Sequence, residues 1–493
     1  MGYPLLYEIN TRCWLAELSK QNNRAITLAN VPESELKEWQ RLGFTHIWLM
    51  GVWTTGPRAR ARALKAHTQG EYAEALPDLR QEDIGASPYA VADYAVSPTI
   101  GGDSALQEFR RRLHIHGLKL ILDFVPNHVG LDHRWLKERP ELFVQDQDES
   151  PETFLEETSI GPRWLAHGKD PYFPPWVDTV QLDYRRADTR AMMTEILQAI
   201  ANRCDGVRCD MAMLLLNDVF AKTWERFPVT NHESAVADRE FWNDAIFTVK
   251  KTHPDFLFLA EAYWGLEPRL QALGFDYTYD KDLYDQLITR NNAGAQRHLL
   301  DTPAEVIARG AHFLENHDEK RIASILPRAE HRAAALLILS LPGLRFLHEG
   351  QLTGARVKVP VQLLRRASEP ADPEIRQMYE QLSTALQGSA VGQGKAELLR
   401  PREAWSGNPS VQNIILVQWQ TEQSEFDLVA INLASHPSQC YARLNIPDKA
   451  VHQWSIKDLL GDQEFVREDI QKNGLYLDLP AHASQILHFR PAE

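Results

Sequence analysis

Several short apolar stretches of this chain end in polar residues that a buried strand would not choose. Asp123 sits inside the run Lys119–Val125 and is followed by Asn127 and His128. Arg208 and Asp210 close the run Asp205–Asp210, Glu261 closes Phe256–Glu261, and Asn316, His317 and Asp318 follow Ala311–Glu315. Residues two apart on a strand face the same side, so Arg208 and Asp210 point together. Three carboxylates from three strands, one of them beside an arginine, could cleave a glycosidic bond. That reaction needs a proton for the leaving oxygen and stabilisation of an oxocarbenium-like centre. A carboxylate beside a guanidinium has its pKa lowered and can act as nucleophile, which suits Asp210 next to Arg208. A carboxyl in drier surroundings has its pKa raised and can donate a proton. Glu261, flanked by Ala260, Ala262 and Trp264, suits that part. Asp318 is left to bind sugar hydroxyls or the developing positive charge. Singly, each residue has a plainer reading: a strand-end Asp caps a helix, and Arg208 is a structural ion-pair partner. Their joint placement is what favours chemistry.

The elements that must position these residues recur along the chain. Strands are predicted at Leu5–Leu15, Thr45–Trp53, Lys119–Val125, Asp205–Asp210, Phe256–Glu261, Phe275–Tyr279, Ala311–Glu315 and Leu344–His348. Amphipathic stretches such as Ser104–His116, Thr189–Asn202 and His331–Ser340 lie between them. Apolar strands alternating with helices give a parallel sheet, and eight such units predict an α/β fold, a (β/α)8 barrel. Polar residues at the C-terminal strand ends of a barrel converge on one pocket. Two connections are too long for ordinary βα loops: Thr54–Ser87, and an inserted subdomain over residues 129–182 after the third strand. Both should lie over that pocket. The barrel is assigned to residues 1–390. From 391 to 493, short alternating runs between Ser, Pro, Asn and Gly predict a C-terminal antiparallel β-sandwich.

Composition excludes other classes. The formal net charge of −14 disfavours nucleic acid, which needs clustered Lys and Arg. The one basic run, Arg58–Lys65, reads as a solvated face. Cys13, Cys204, Cys209 and Cys440 show no CxxC spacing, so buried free thiols are expected rather than a metal or disulfide framework. No signal peptide and no membrane-length apolar run is read, so the expected setting is cytoplasmic, with no membrane partner.

Asp123-Phe-Val-Pro-Asn-His128, Gly206-Val-Arg-Cys-Asp210, Leu259-Ala-Glu-Ala262 and Phe313-Leu-Glu-Asn-His-Asp318 resemble, in order, four signatures of the α-amylase superfamily, glycoside hydrolase family 13. Ser87–Tyr94 resembles the family's stretch bearing a sugar-stacking tyrosine. The resemblance covers nearly the whole chain. It implies a retaining glycosidase acting on α-glucosidic bonds of α-glucans or maltooligosaccharides. Asp210 would be nucleophile, Glu261 general acid/base and Asp318 transition-state stabiliser. Arg208 would orient Asp210, His128 and His317 would bind the sugar at the cleaved bond, Tyr89 would stack on it, and Asp123 would anchor Arg208. Trp264 is expected to stack on a second sugar. No catalytic metal is required, and room is left for a structural calcium near Asn127, with Asp132, Asp146 and Asp148 as candidate oxygens. Two alternatives stay open: a transglycosylase or sugar isomerase of the same family, acting on maltose, trehalose or a sugar phosphate, and a catalytically inactive sugar-binding or scaffold protein. The chain departs from the second signature at Leu214, where the family usually carries His or Lys. Leu214 is therefore expected at the pocket rim, weakening acceptor-side recognition.

Overall fold

The computed structural model describes residues 2–65, 69–229, 239–421, 425–446 and 451–492. Eight parallel strands close into a barrel: β1 (Leu5–Asn10), β2 (His46–Met50), β3 (Lys119–Phe124), β4 (Gly206–Cys209), β5 (Leu257–Ala260), β6 (Tyr277–Tyr279), β7 (Gly310–His312) and β8 (Leu344–His348). They neighbour one another in chain order, and β1 pairs with β8 to close the ring. Alternation sorts the side chains. Leu6, Trp48, Ile121, Leu259, Phe313 and Phe346 fill the interior, while Leu5, Ile9, Leu49, Leu122 and Val207 pack outward against the helices. The helix Gly102–Ile115 shows why such segments are helical. Its buried Ala105, Leu106, Phe109 and Leu113 fall on one face at helical spacing.

The first predicted strand is too long. It stops at Asn10, whose side chain accepts a hydrogen bond from Cys13 N (3.3 Å) and so caps the helix Thr11–Gln21. Trp14, Leu15 and Leu18 are core residues of that helix, not of a strand.

The two long connections build the mouth. After β3, His128–Gly130 pairs with Thr179–Gln181, and between them lies a three-stranded sheet of Gln145–Asp146, Gly161–Ala166 and Thr153–Thr158. After β2, the excursion carries the helix Pro57–Lys65, so the basic run is a helix face with Ala59 and Ala63 buried beneath it. This excursion packs on the segment after β8. Tyr72, Leu76 and Leu363 share a small apolar core, and Arg365 grips Asp83 with two nitrogens at 2.6 and 2.8 Å.

Beyond the barrel, a six-stranded and a three-stranded antiparallel sheet face each other. Leu416, Leu428 and Ala430 of the larger sheet meet Cys440, Leu477 and Leu479 of the smaller. The other face of the larger sheet, through Ile415, Val417 and Trp419, joins the barrel core. Trp419 Nε1 donates to Ser340 O (2.8 Å), fixing the sheet to the helix Arg328–Ser340.

Candidate active site

The ladder that closes the barrel also sets the floor of the cleft. Asp210 N donates to Phe124 O (2.9 Å), and Glu261 N donates to Cys209 O (3.1 Å). Both residues therefore stay in register one step past their strands. Arg208 pairs across the ladder with Asp123 on one side and Leu259 on the other. It is fully buried, with its guanidinium over the rings of Trp48, Tyr89 and Tyr279 at 5.2–5.8 Å.

That guanidinium joins two carboxylates. Arg208 Nη1 donates to Asp210 Oδ1 at 2.7 Å, and Nη2 lies 2.8 Å from Glu261 Oε2. The second contact is an ion pair whose angle falls short of a hydrogen bond. The expected anchor Asp123 stands 3.7 Å from Nη1, beyond hydrogen-bond reach, and accepts instead from Gly51 N (3.3 Å). Burial raises its pKa to about 7, with Arg208 and His317 opposing, so Asp123 neighbours Arg208 without holding it by direct contact.

Glu261 is held from two further sides. Tyr263 Oη donates to Oε1 and Met211 N donates to Oε2, each at 2.7 Å. Met211 reaches that position with φ +45°, and Trp264 on the other loop has φ +67°. Left-handed backbone is unfavourable for side chains of this size, on the order of 1–3 kcal/mol each, so strain is concentrated beside the two carboxylates. Burial raises the Glu261 pKa to about 7 against the opposing charge of Arg208, and Asp210 and Asp318 raise it further. Burial also raises Asp210 above the ordinary carboxylate value, with Arg208 opposing. The expectation that Arg208 would leave Asp210 lowered fails because Asp210 is only 6% exposed, and desolvation outweighs one cation shared with Glu261.

The third carboxylate sits differently. The Asp318 side chain is half exposed, and His317 Nε2 lies 3.0 Å from its Oδ2. Burial of the site pulls the Asp318 pKa up, but the His317 charge and hydrogen bond outweigh it and hold the group below its ordinary value. Lys358, from the segment after β8, donates to the Asp318 carbonyl. His317 Nε2 also meets Tyr89 Oη at 2.7 Å, with the two rings stacked 5.3 Å apart. Tyr89 is therefore at the floor, over Arg208 and against His317. His128 is buried, and burial lowers it to about 4, so it is neutral at pH 7; the Tyr89 backbone and Glu261 act in the opposite direction. Its ring packs on Trp176 of the insertion at 5.2 Å.

Trp264 stands on the rim, 42% exposed and edge-on to Tyr172 at 5.0 Å. Tyr172 and Phe173 project from a turn that Asp170 Oδ1 holds by accepting from both their amides (2.6 and 2.9 Å). Leu214 is not on the rim. It is 3% exposed, inside the short 3-10 turn Ala212–Leu215, and belongs to the main hydrophobic core. The rim reading of Leu214 is wrong: four of the turn's residues are apolar and all four pack inward.

The residues near Asn127 do not fit a calcium ion. Asn127 Oδ1 accepts from Gln181 Nε2 (3.0 Å) and Asn127 Nδ2 donates to Gln181 Oε1 (3.1 Å), so the two buried amides satisfy each other. Asp132 accepts from Arg58 N and Ala59 N at the start of the helix Pro57–Lys65. Calcium takes six to eight oxygens. Among the described residues, no three His, Cys, Asp or Glu side chains are placed to hold a metal.

Three residues at the site were missed by reading the sequence: Glu8, Tyr263 and Lys358. Glu8 shares parity with interior-facing Leu6, and Tyr263 lies two residues beyond Glu261, so the period-two rule could have found both. Lys358 arrives on a loop, where no period operates.

The chain matches the family profile described as "Alpha amylase, catalytic domain" over residues 33–385. It is 24% identical over 372 residues to the α-amylase MalA of Haloarcula japonica, covering 74% of this chain and 50% of that one. It is 24% identical over 431 residues to an α-1,4-glucan:maltose-1-phosphate maltosyltransferase of Burkholderia pseudomallei, covering 86% and 33%. With a trehalose-6-phosphate hydrolase of Escherichia coli it shares 25% identity over 323 residues, covering 54% and 55%. The chain thus spans about half the length, or less, of these relatives. Its fold is that of an α-amylase from Lactobacillus plantarum (TM-score 0.69, 20% identity, 99% of both chains). It is likewise that of a noncanonic maltogenic α-amylase AmyB from Thermotoga neapolitana (TM-score 0.68, 18% identity, 99% of this chain and 98% of that one).

Proposed function

Because the chain belongs to the α-amylase family through its catalytic domain, we propose that it cleaves α-glucosidic bonds of maltooligosaccharides or related α-glucosides with net retention. The observation that carries this reading is one guanidinium contacting two carboxylates, Asp210 at 2.7 Å and Glu261 at 2.8 Å. A shared guanidinium suits the close carboxyl spacing of retaining enzymes, about 5–5.5 Å. Glu261, raised to about 7, keeps a proton for the leaving oxygen near neutral pH. Asp210, hydrogen-bonded to Arg208, attacks the anomeric carbon to form a glycosyl-enzyme. Glu261, now ionised, takes a proton from water or from an acceptor hydroxyl, which releases the sugar. Asp318, at the edge of the floor, offers negative charge to the oxocarbenium-like centre. His317 and neutral His128 hold sugar hydroxyls, and Tyr89 stacks beneath the ring. No step uses a metal.

Transfer to an acceptor sugar is a second outcome of the same site. The aromatic pair Trp264 and Tyr172, exposed beside the Glu261 loop, supports acceptor binding there. Among relatives, two are named maltosyltransferases. Four buried free thiols support a reducing, cytoplasmic setting, and no helix among the described residues is long and apolar enough to cross a membrane.

The test is product chromatography on a panel of maltooligosaccharides and α-linked disaccharides, with and without added acceptor, together with NMR of the first anomer released. An α-configured first product is expected. A β-configured one, or no turnover of any α-glucoside, would overturn the reading.

A further inference from the structure

Strand β1 delivers a carboxylate that no step above uses. Leu6 lies in the barrel interior, and alternation puts Glu8 on the same side, fully buried. A buried carboxylate must be paired. Among the described residues, the hydrogen-bond partner of its side chain is His317 Nδ1, at 2.5 Å. His348 is the other candidate cation, with Nε2 4.0 Å from Glu8 Oε2. Its Nδ1, however, accepts from Arg321 Nη1 at 2.8 Å, which makes His348 a neutral ring. Burial first, then Arg321, hold it well below the ordinary histidine value. Arg321 itself is committed to Glu315 (2.8 Å) and to the Glu349 carbonyl (2.6 Å). His317 is therefore the group that neutralises Glu8.

We propose that Glu8 is a positioning residue: it keeps His317 an imidazolium through neutral pH, so that Nε2–H is a charged donor held toward Asp318 and the substrate. The substrate part rests on the glycosidase reading; the ionisation part does not. With Nδ1–H committed to Glu8, Nε2–H is left for Tyr89 Oη (2.7 Å), and Asp318 Oδ2 lies 3.0 Å from the same nitrogen as an ion-pair partner. A hydrogen bond from a charged donor is roughly twice as strong as a neutral one. The groups around His317 are Glu8, Asp318, Tyr89, Asp123, Asp210 and neutral His348, with the cations Arg208 under Tyr89, Lys358 on the Asp318 carbonyl, and Arg321 and Arg366 beside Glu349 in the same cavity. Burial alone would lower His317, but Asp318 and Glu8 outweigh it and lift it to about 10. Of the two, Asp318 is half exposed and faces the cleft, while Glu8 is sealed. Glu8 is thus the partner that a bound sugar cannot displace.

Glu8→Gln keeps an acceptor oxygen for Nδ1–H and removes only the charge. The experiment follows the Cε1 resonance of His317 with pH in the full chain carrying labelled histidine, assigned by its loss in His317→Gln. In the wild type it should stay in the charged position to about pH 9, given the opposite charges beside it. In Glu8→Gln the midpoint should fall by about two units. In Asp318→Asn, an exposed and fold-tolerant change, the ring should still be charged at pH 7, because Glu8 remains. At pH 7 Glu8→Gln should lose about tenfold to a hundredfold in kcat/KM. Its alkaline limb should steepen, since His317 would now deprotonate alongside Glu261. A His317 midpoint unmoved in Glu8→Gln, or a neutral His317 in Asp318→Asn, overturns the proposal. The titration needs no substrate, so an inactive wild type would sink the glycosidase reading alone. An active enzyme with an unmoved titration would sink this one alone.

Discussion

Asp210 and Glu261 are 6% and 3% exposed and hang from ladder hydrogen bonds at the ends of β4 and β5. Trp264, Tyr172 and Lys358 line the same cleft but stand on its rim, on loops, exposed. The floor is fixed by strand register and by one fully buried arginine, so a shift of a few tenths of an ångström there must move the barrel. The rim is fixed by turns, such as the one Asp170 holds, and can change with little cost to the fold. Chemistry is therefore expected to reside in the floor and substrate choice in the rim. Substitutions in the two regions should fail in different ways.

The largest effect belongs to the floor. Asp210→Asn preserves shape and the Arg208 contact but removes the attacking charge. Activity should fall by at least about 10⁴-fold with the melting temperature nearly kept. A loss below about a hundredfold would mean that another group is the nucleophile. The pH profile tests the same region. The acid must be protonated to act, so activity should decline as pH rises through about 7, the value set by burial of Glu261. The acid limb should lie above the ordinary Asp value, because burial raises Asp210. An alkaline limb displaced to pH 9 would show that Glu261 is not the proton donor.

Leu214 sharpens the boundary between the regions, because it looks like rim in the sequence and is core in the structure. Leu214→His should destabilise the fold by about 3 kcal/mol, from a lost apolar side chain and a buried polar ring. The measurement is denaturant unfolding, with the ratio of rates on maltose and a long maltooligosaccharide as control. A stable variant with an altered ratio would return Leu214 to the rim.

What was legible in the sequence follows the same division. Strands β2 to β8 were located to within a few residues, because buried parallel strands are continuous apolar runs and each ends in a turn signal. Arg208 beside Asp210 was readable from parity, and Glu261 from its dry flanks. Leu214 misled because its neighbours Met213, Leu215 and Leu216 form an apolar run with no polar partner to orient it. The raised Asp210 was missed for a different reason: charge pairing is visible in a sequence, but desolvation depends on what covers the group. The loop segment carrying Lys358 gave no signal, since its position depends on the excursion around Asp83 that Arg365 grips.

The Asn127–Gln181 amide pair ties the insertion to the end of β3, between floor and rim. Gln181→Ala would leave a buried amide without its partner and should cost about 1–3 kcal/mol. Chelator should leave the wild-type melting temperature unchanged, because these amides bond to each other. A drop of several degrees with chelator, reversed by calcium, would show oxygen ligands that this pairing does not account for.

The smallest effect should come from the aromatic rim. Tyr172 and Trp264 meet edge to face at 5.0 Å, and both are substantially exposed. A sugar ring stacked there would lie beyond the bond that Glu261 protonates, so it touches the second or third residue of a chain and not the reacting one. Removing such a contact takes away binding felt equally before and during bond cleavage, which raises KM and leaves kcat. Tyr172→Ala forfeits one of the two stacking rings, on the order of 1 kcal/mol or about fivefold in KM. Maltose, which reaches the pair with its second sugar at most, should show the smaller rise in KM, and a long maltooligosaccharide the larger. Trp264→Ala adds a second consequence, because alanine replaces a bulky residue held at φ +67° and relieves little of that strain. Its KM effect on long chains should match that of Tyr172→Ala, and the double variant should add less than the sum, since each ring supports the other. If either change instead lowers kcat on maltose as far as on long chains, the rim takes part in the chemistry and the division between floor and rim fails.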